Sequence, residues 1–493
     1  MKQLFLTLLY CYCTATLLPA QIQAGSDILG EETGDDSGFS IALSGDGSRI
    51  VIGAPYHDGE WPLSGQARVL EYRSGSWEQL GSALKEPFGF ADQQGFAVDI
   101  SDDGNRVVTG LPGYFEINPS RRGAVRVYTW EGEDWQQMGS MLEGGPEGQA
   151  LISFGHTVAM SGDGNRIAVG TQAASEDAFG EVKVYEWDGA EWALLGQPVV
   201  AENPDRAFAS VVSLNSDGTI LAVGNYNSVD STSGGSVHVY SFNGNDWVQK
   251  GQTLRGNHFE DYFGLDLELN AAGDMLVVGS PRDSSYLILA GKVQVYSFQE
   301  SQWVPRGEPL YGAFVDALGW TVAISADGDR IVCGAPHSDT WDIFVGYLQV
   351  YQWNGQTYVP IGLRLEGDLG TDEFASAVSI SADGSRVAGA SFENTFQSEK
   401  PGFTRVFDIG YLTGTQSIAP PIAPLILFPN PTKDGIISIE GDFEGACSIY
   451  STTGQLISQQ TVNDQQINLT ALPAGTYWLY FGIQGAYKII KKN

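Results

Sequence analysis

Phe39-Ser-Ile-Ala-Leu-Ser-Gly-Asp-Gly-Ser-Arg-Ile-Val-Ile-Gly-Ala-Pro55 decides how this chain folds. Two apolar runs flank the pair Asp46-Gly47, which is how a tight hairpin is written when its glycine must take a positive φ. The pattern returns at units opened by Phe39, Phe96, Phe154, Phe208, Phe263, Trp320 and Phe374, with spacings of 54 to 58 residues. Asp-Gly recurs at Asp103-Gly104, Asp163-Gly164, Asp217-Gly218, Asp327-Gly328 and Asp383-Gly384, with Ala272-Gly273 in the fifth unit.

Two further landmarks complete each unit. One is an alternating strand ending in an aromatic, such as Gly65-Gln-Ala-Arg-Val-Leu-Glu-Tyr72, whose period of two marks unlike faces. The other is an aromatic-x-x-x-Gly step: Trp77 to Gly81, Trp135 to Gly139, Trp192 to Gly196, Trp247 to Gly251, Trp303 to Gly307 and Tyr358 to Gly362. Four short strands per unit at this period predict an all-β fold, a seven-bladed β-propeller of up-and-down sheets. The seventh unit stops after its third strand, at Phe407-Asp-Ile-Gly410, and so lacks an outer strand. The early segment Gly25-Ser-Asp-Ile28-Leu-Gly30 fits the Gly-x-x-Leu frame of the other fourth strands, and is predicted to close the ring beside Thr404–Asp408. Closure removes two free sheet edges.

Residues 1–20 carry one lysine and then an apolar run, the pattern of an export signal and not of a membrane span. Tyr10 before Cys11 is too large for a lipoprotein site. Cys11 and Cys13 leave with that signal, and Cys333 and Cys447 fall in different domains, so no disulfide framework is expected. A formal charge of −33 argues against a nucleic-acid partner, because such binding is driven by cationic contacts to phosphate. The domain reading is 1–20 signal, 21–410 propeller, 411–426 proline-rich linker and 427–493 a small β-sandwich.

The last segment carries Pro429-Asn430-Pro431, Gly454-Gln-Leu-Ile457, Leu472-Pro-Ala-Gly475-Thr-Tyr477 and a basic end at Lys491-Lys492. In that order these motifs resemble the C-terminal sorting domain of type IX secretion substrates. The resemblance implies handling by the type IX machinery and passage through the periplasm and outer membrane of a Gram-negative bacterium, ending in release or surface attachment. It does not imply an integral membrane protein.

The repeats are similar to the FG-GAP units of the integrin α-chain propeller, through Phe154-Gly155 and Phe263-Gly264 on one side and Gly53-Ala54-Pro55 and Gly334-Ala335-Pro336 on the other. That family's loop implies calcium held by Asp-x-Asp-x-Asp-Gly-x-x-Asp, since a hard cation wants six to eight oxygens. Asp99-Ile-Ser101-Asp-Asp103 comes nearest; elsewhere alanine or serine stands first, and a plain Asp-Gly turn is the better account. No other cofactor is implied. No His-Glu-x-x-His, Gly-x-Ser-x-Gly or phosphate-loop motif occurs among the five histidines and abundant serines, so no catalytic residue is assigned. Carboxylates are numerous enough to leave a glycosidase-like pair open.

Variation between units concentrates in the loop from second to third strand, which in a propeller gathers on one face. Tyr56, Asp58, Trp61, Tyr114, Tyr286, His337, Asp339 and Trp341 are the ligand-binding candidates there, with Phe115, Tyr226, Asp283 and Phe396 on the same rim. Aromatics near carboxylates suit a sugar or peptide; the competing reading has them packed down to order the loops. The functional expectation is a secreted or surface binding module for a glycan or protein, with an extracellular polysaccharide hydrolase or lyase as the alternative.

Overall fold

The computed structural model describes residues 21–410 and 426–492, except 60, 86–90, 114–122, 145–150, 174–178, 202–206, 227–233, 259, 338–344, 369–371, 393–400, 430, 431, 434, 441–445, 451–455, 463–464 and 481–485. Seven antiparallel sheets form the larger part. Blade 1 is typical: Ser40–Leu43 lies innermost, followed outward by Arg49–Ala54, Gln66–Arg73 and Ser76–Gln79, with Leu84–Lys85 also on the third strand. The fourth strand is broken because Gly81 turns the backbone to φ +72°, as do the glycines of the aromatic-x-x-x-Gly step in blades 2 to 6 and Gly25 in blade 7. In blade 6 the break is only a bulge within Tyr358–Glu366.

Period-two geometry explains the packing between blades. In the second strand of blade 1, Ile50 and Ile52 face blade 7 while Val51 faces blade 2, and all three are buried. Second strands therefore read as continuous apolar runs, sandwiched between sheets on both sides.

The ring closes as the sequence predicts. Gln21–Gln23 pairs with the end of Phe403–Ile409, Gln21 opposite Ile409 and Ile22 opposite Asp408; Ile28 and Leu29 pair with Thr404 and Phe403. Asp27 adds an ion pair to Arg405 at 2.9 Å. The frame drawn through Gly25 holds in detail: the Trp77 indole donates to Ala24 O at 2.8 Å, as Trp135 does to Leu80 O, Trp192 to Met138 O, Trp247 to Leu195 O and Trp303 to Lys250 O.

On the lower face, which carries the hairpin turns, a circle of backbone hydrogen bonds surrounds the axis. Gly45 N donates to Asp102 O, Asp102 N to Gly162 O, Gly162 N to Ser216 O, Ser216 N to Ala271 O, Ala271 N to Ala326 O, Ala326 N to Ala382 O, and Ala382 N back to Gly45 O. Seven links with no remainder require seven blades. An outer circle reinforces it: where an arginine opens the second strand it reaches the next blade's turn, Arg49 to Gly104 O at 2.9 Å, Arg330 to Gly384 O at 2.7 Å and Arg386 to Gly47 O at 2.8 Å. Blades 4 and 5 have Ile220 and Met275 at that position, and there Lys250 reaches Gly273 O at 2.7 Å and Arg306 reaches Gly328 O at 2.8 Å from the fourth-strand side.

One expectation needs correction. Phe39, Phe96 and Trp320 do not occupy the place of Phe154, Phe208, Phe263 and Phe374. Gly38, Gly95 and Gly319 make the same bond to a second-strand carbonyl that Gly264 makes, so the residues equivalent to Phe263 are Ser37, Gln94 and Leu318. The order aromatic-Gly is reversed in those blades, which moves their rings two residues on, from the buried seam to the half-exposed mouth of the central channel.

The tail forms a sheet of Ile426–Phe428, Ile436–Glu440 and Gln466–Asn468 and another of Ala446–Tyr450, Leu456–Thr461, Gly475–Tyr480 and Ala486–Lys491. Ile437, Ile439, Cys447, Ile449, Ile467 and Leu479 form their shared core. Cys333 and Cys447 are both buried free thiols.

Candidate functional site

The innermost strands leave one edge unpaired toward the axis, and its N–H groups need acceptors. Side chains of the preceding blade supply them. Ser379 Oγ accepts from Leu43 N, Thr157 Oγ1 from Val212 N and Ser213 Oγ from Leu269 N, at 3.0 to 3.3 Å. At two seams the acceptor is a carboxylate: Asp99 takes Met160 N at 2.7 Å, Asp266 takes Val322 N at 2.7 Å and Glu268 takes Ile324 N at 2.8 Å. These three face a channel cavity of about 300 Å³. They touch its lumen but are walled in by protein, and desolvation is the main reason their pKa values rise, to about 6 for Asp99, about 7 for Asp266 and about 8 for Glu268. Asp102 adds repulsion to Asp99, and Asp99 and Asp266 add it to Glu268.

The upper face carries the connections between blades and the loops from second to third strand. A recurrent aspartate organises the connections. Asp35, Asp261, Asp316 and Asp372 each fold back to accept a backbone N–H, from Glu32, His258, Ala313 and Asp368 respectively. Asp92 holds the same place in blade 2 and is also buried. Sequence reasoning missed this element, although an aspartate three residues before the mouth glycine, as in Asp35-x-x-Gly38, was there to be read.

At the mouth, aromatic side chains gather around the axis. Phe39 lies 4.6 Å from Phe96 and 5.0 Å from Phe392, and Phe96 lies 5.0 Å from His156. Under that cover burial drives the His156 pKa down to about 4. Across the mouth, Trp320 meets His337 edge-on at 4.6 Å. Burial, and then the nearby Arg282 charge, lower the His337 pKa.

The sequence candidates distribute as follows. Trp61 and Tyr286 are exposed, at 49% and 57%, and Tyr286 stacks on Tyr311 at 5.2 Å. Asp58 is exposed and accepts Leu63 N, so it orders the Trp61 loop. Tyr56 is half-buried, edge-on to Phe39. His57 is turned inward, paired to Asp35 at 3.0 Å, and that hydrogen bond raises its pKa. Asp283 is buried, caps Ser285 N and lies 3.5 Å from Lys292. Tyr114, Phe115, Asp339, Trp341 and Phe396 lie outside the described residues, as do Asn430, Pro431 and Gly454 of the tail motif. The calcium candidates part ways: Ser101 and Asp103 close their turn together at 2.6 Å, whereas Asp99 is bonded to the next blade. Among the described residues no group of three or more His, Cys, Asp or Glu is arranged to hold a metal.

In the tail, Pro429 and Gly475 are exposed, Tyr477 OH donates to Pro473 O at 2.7 Å, and Lys491 Nζ donates to the carbonyls of Leu469 and Thr470 at 3.0 and 2.9 Å, with Lys492 N bonded to Thr432 O. No described helix is long and apolar enough to cross a membrane.

Fold and tail together define an all-β, seven-bladed propeller joined to a secretion signal of its own. Residues 426–492 match the family model described as the secretion system C-terminal sorting domain. The chain is thus a type IX-secreted propeller protein, destined for the cell surface or for release. Among solved structures it is similar to a protein provisionally named a 6-phosphogluconolactonase from Bacteroides uniformis, at 13% identity and TM-score 0.46, over 68% of this chain and 86% of that one. It is also similar to the Dos1 propeller, at 14% identity and TM-score 0.46, over 78% of this chain and 95% of that one. Comparison with curated proteins finds no match.

Proposed function

We propose that the protein is an exported binding module that recognises a glycan or protein through its upper face. Export would begin with removal of residues 1–20, pass through the periplasm of a Gram-negative cell and end through the sorting tail. The observation that carries the reading is the exposure of Trp61 and Tyr286, on the second-to-third-strand loops of two blades. A flat ring in solvent costs hydration and offers a stacking platform to a sugar or peptide. Replacing Asp58 and Trp61 by alanine should weaken retention on a glycan and host-protein array; unchanged retention contradicts the reading.

A second reading, a polysaccharide hydrolase or lyase, is favoured by one observation: three carboxylates with raised pKa values in the central channel. Against it, each already accepts a backbone N–H, a structural use that accounts for its position. Turnover of a polysaccharide panel that is lost in Glu268→Gln would favour this second reading.

A further inference from the structure

Among the described residues, Arg282 is placed unlike the arginines that form ion pairs. In a chain of net charge −33, Arg49, Arg166, Arg306, Arg364, Arg386 and Arg405 each lie against a carboxylate. Arg282 has no carboxylate partner among the described residues. It is exposed on the upper face, where it stacks 4.6 Å over the Tyr262 ring and donates to Tyr262 OH at 3.2 Å. Tyr226 meets Tyr262 edge-on at 5.2 Å, so the guanidinium is held on an aromatic base formed by blades 4 and 5. Beside it a cavity of about 370 Å³ is lined by His258, Glu260, Ser284, Ser285 and Leu289 together with Arg282 and Asp261.

The repeat supplies the second argument. Arg282 follows Pro281 at the end of a second strand, the position held by Tyr56 in blade 1, Gly113 in blade 2 and His337 in blade 6. Positions that carry the ring are alike from blade to blade; this one differs in each, and it stands at the mouth. A guanidinium held over a ring and bonded to its hydroxyl is fixed in place, and the natural counterpart of its remaining donors is the two oxygens of a carboxylate. Glu260 and the serine hydroxyls are acceptors and donors of the kind that bind sugar hydroxyls, and Leu289 adds an apolar wall. Asp261 is already tied to His258 N.

We propose that this cavity takes a sugar bearing a carboxylate, with Arg282 as the residue that selects the acid. The proposal rests on the upper-face binding reading and narrows its ligand to acidic glycans. It is tested on the purified full chain by calorimetric titration with two matched pairs, trigalacturonic acid against its methyl ester and sialyllactose against lactose. The acid of each pair should bind about tenfold or more tightly than its neutral partner, the usual weight of a charge-assisted hydrogen bond. Arg282→Gln should erase that preference and Arg282→Lys should retain part of it, with both variants still folding cooperatively in thermal unfolding. Equal affinity for acid and ester, with Trp61→Ala weakening both, overturns the acidic-sugar inference and leaves upper-face binding standing. Tighter binding of a glutamate-rich peptide than of any sugar also overturns it. Absence of binding to every glycan and peptide tested sinks both readings.

Discussion

Raising the pH from 5 to 9 should weaken the fold through the channel carboxylates, and the structure sets the size of the effect. Glu268 moves from 4.5 to about 8 because its carboxyl is enclosed at the seam of blades 5 and 6, with Asp266 and Asp99 nearby. A group whose pKa is raised by folding contributes stability that is complete below its unfolded value and disappears as pH climbs through its folded value. The window is therefore about 4.5 to 8, and at ~1.4 kcal/mol per tenfold the full span for Glu268 is on the order of 5 kcal/mol. Asp266 and Asp99, raised mainly by the same desolvation, change stability in the same direction as pH rises. Urea unfolding followed by tryptophan fluorescence at each pH measures it. Glu268→Gln retains an oxygen able to accept Ile324 N–H but cannot ionise, so its stability curve should be flatter between pH 6 and 9. A wild-type curve that is level or rising over that range, or a Glu268→Gln curve of the same slope, refutes the reasoning.

Other expectations follow from single contacts. His156 is neutral in its aromatic enclosure, with a pKa near 4, so its contribution is complete above the unfolded value of 6.5 and is lost as pH falls toward 4. His156→Phe should remove that acid-side loss in the same unfolding series. Trp77→Phe deletes the indole bond to Ala24 O and should cost about 1 kcal/mol, read by urea unfolding. Lys250→Met leaves the Gly273 carbonyl without its cation in the blade where Ile220 replaces arginine. That change should cost about 1–3 kcal/mol, whereas removing a solvent-exposed lysine elsewhere should change little.

Much of the ring was legible because propeller blades repeat their chemistry. The closing strand could be placed because Ala24-Gly25 occupies the same frame as Leu80-Gly81, and the structure uses the two carbonyls identically, each for a neighbour's indole. The first landmark was legible only as an aromatic: both Phe263-Gly264 and Gly95-Phe96 supply one, yet the glycine sets the register and the ring follows or precedes it. That two-residue difference separates a seam residue from a mouth residue, and it hid the aromatic collar of Phe39, Phe96 and Phe392. Val98-Asp-Ile100 reads in sequence as an ordinary alternating strand; that Asp99 serves an N–H 61 residues away follows only from the neighbouring blade's edge. The Arg282 site was still less accessible, since Tyr226, Tyr262 and Arg282 come from separate loops of two blades. Of the rim residues singled out by type, Trp61 and Tyr286 are presented to solvent, while His57 and Asp283 turn inward to partners that the sequence does not place beside them.

The ring's closure is tested most directly by pairing cysteines across the last seam. Ile22 and Asp408 are register partners in the seventh blade, and the two thiols among the described residues, Cys333 and Cys447, are buried. Ile22→Cys with Asp408→Cys should therefore form an intramolecular disulfide under mild oxidation, seen as a mobility shift and a mass loss of about two protons on non-reducing analysis. Ile22→Cys with Val406→Cys, displaced by two residues, should form it poorly. Efficient bonding of the displaced pair, or of neither pair in a folded monomer, would contradict a seven-bladed ring shut by its own N-terminal strand.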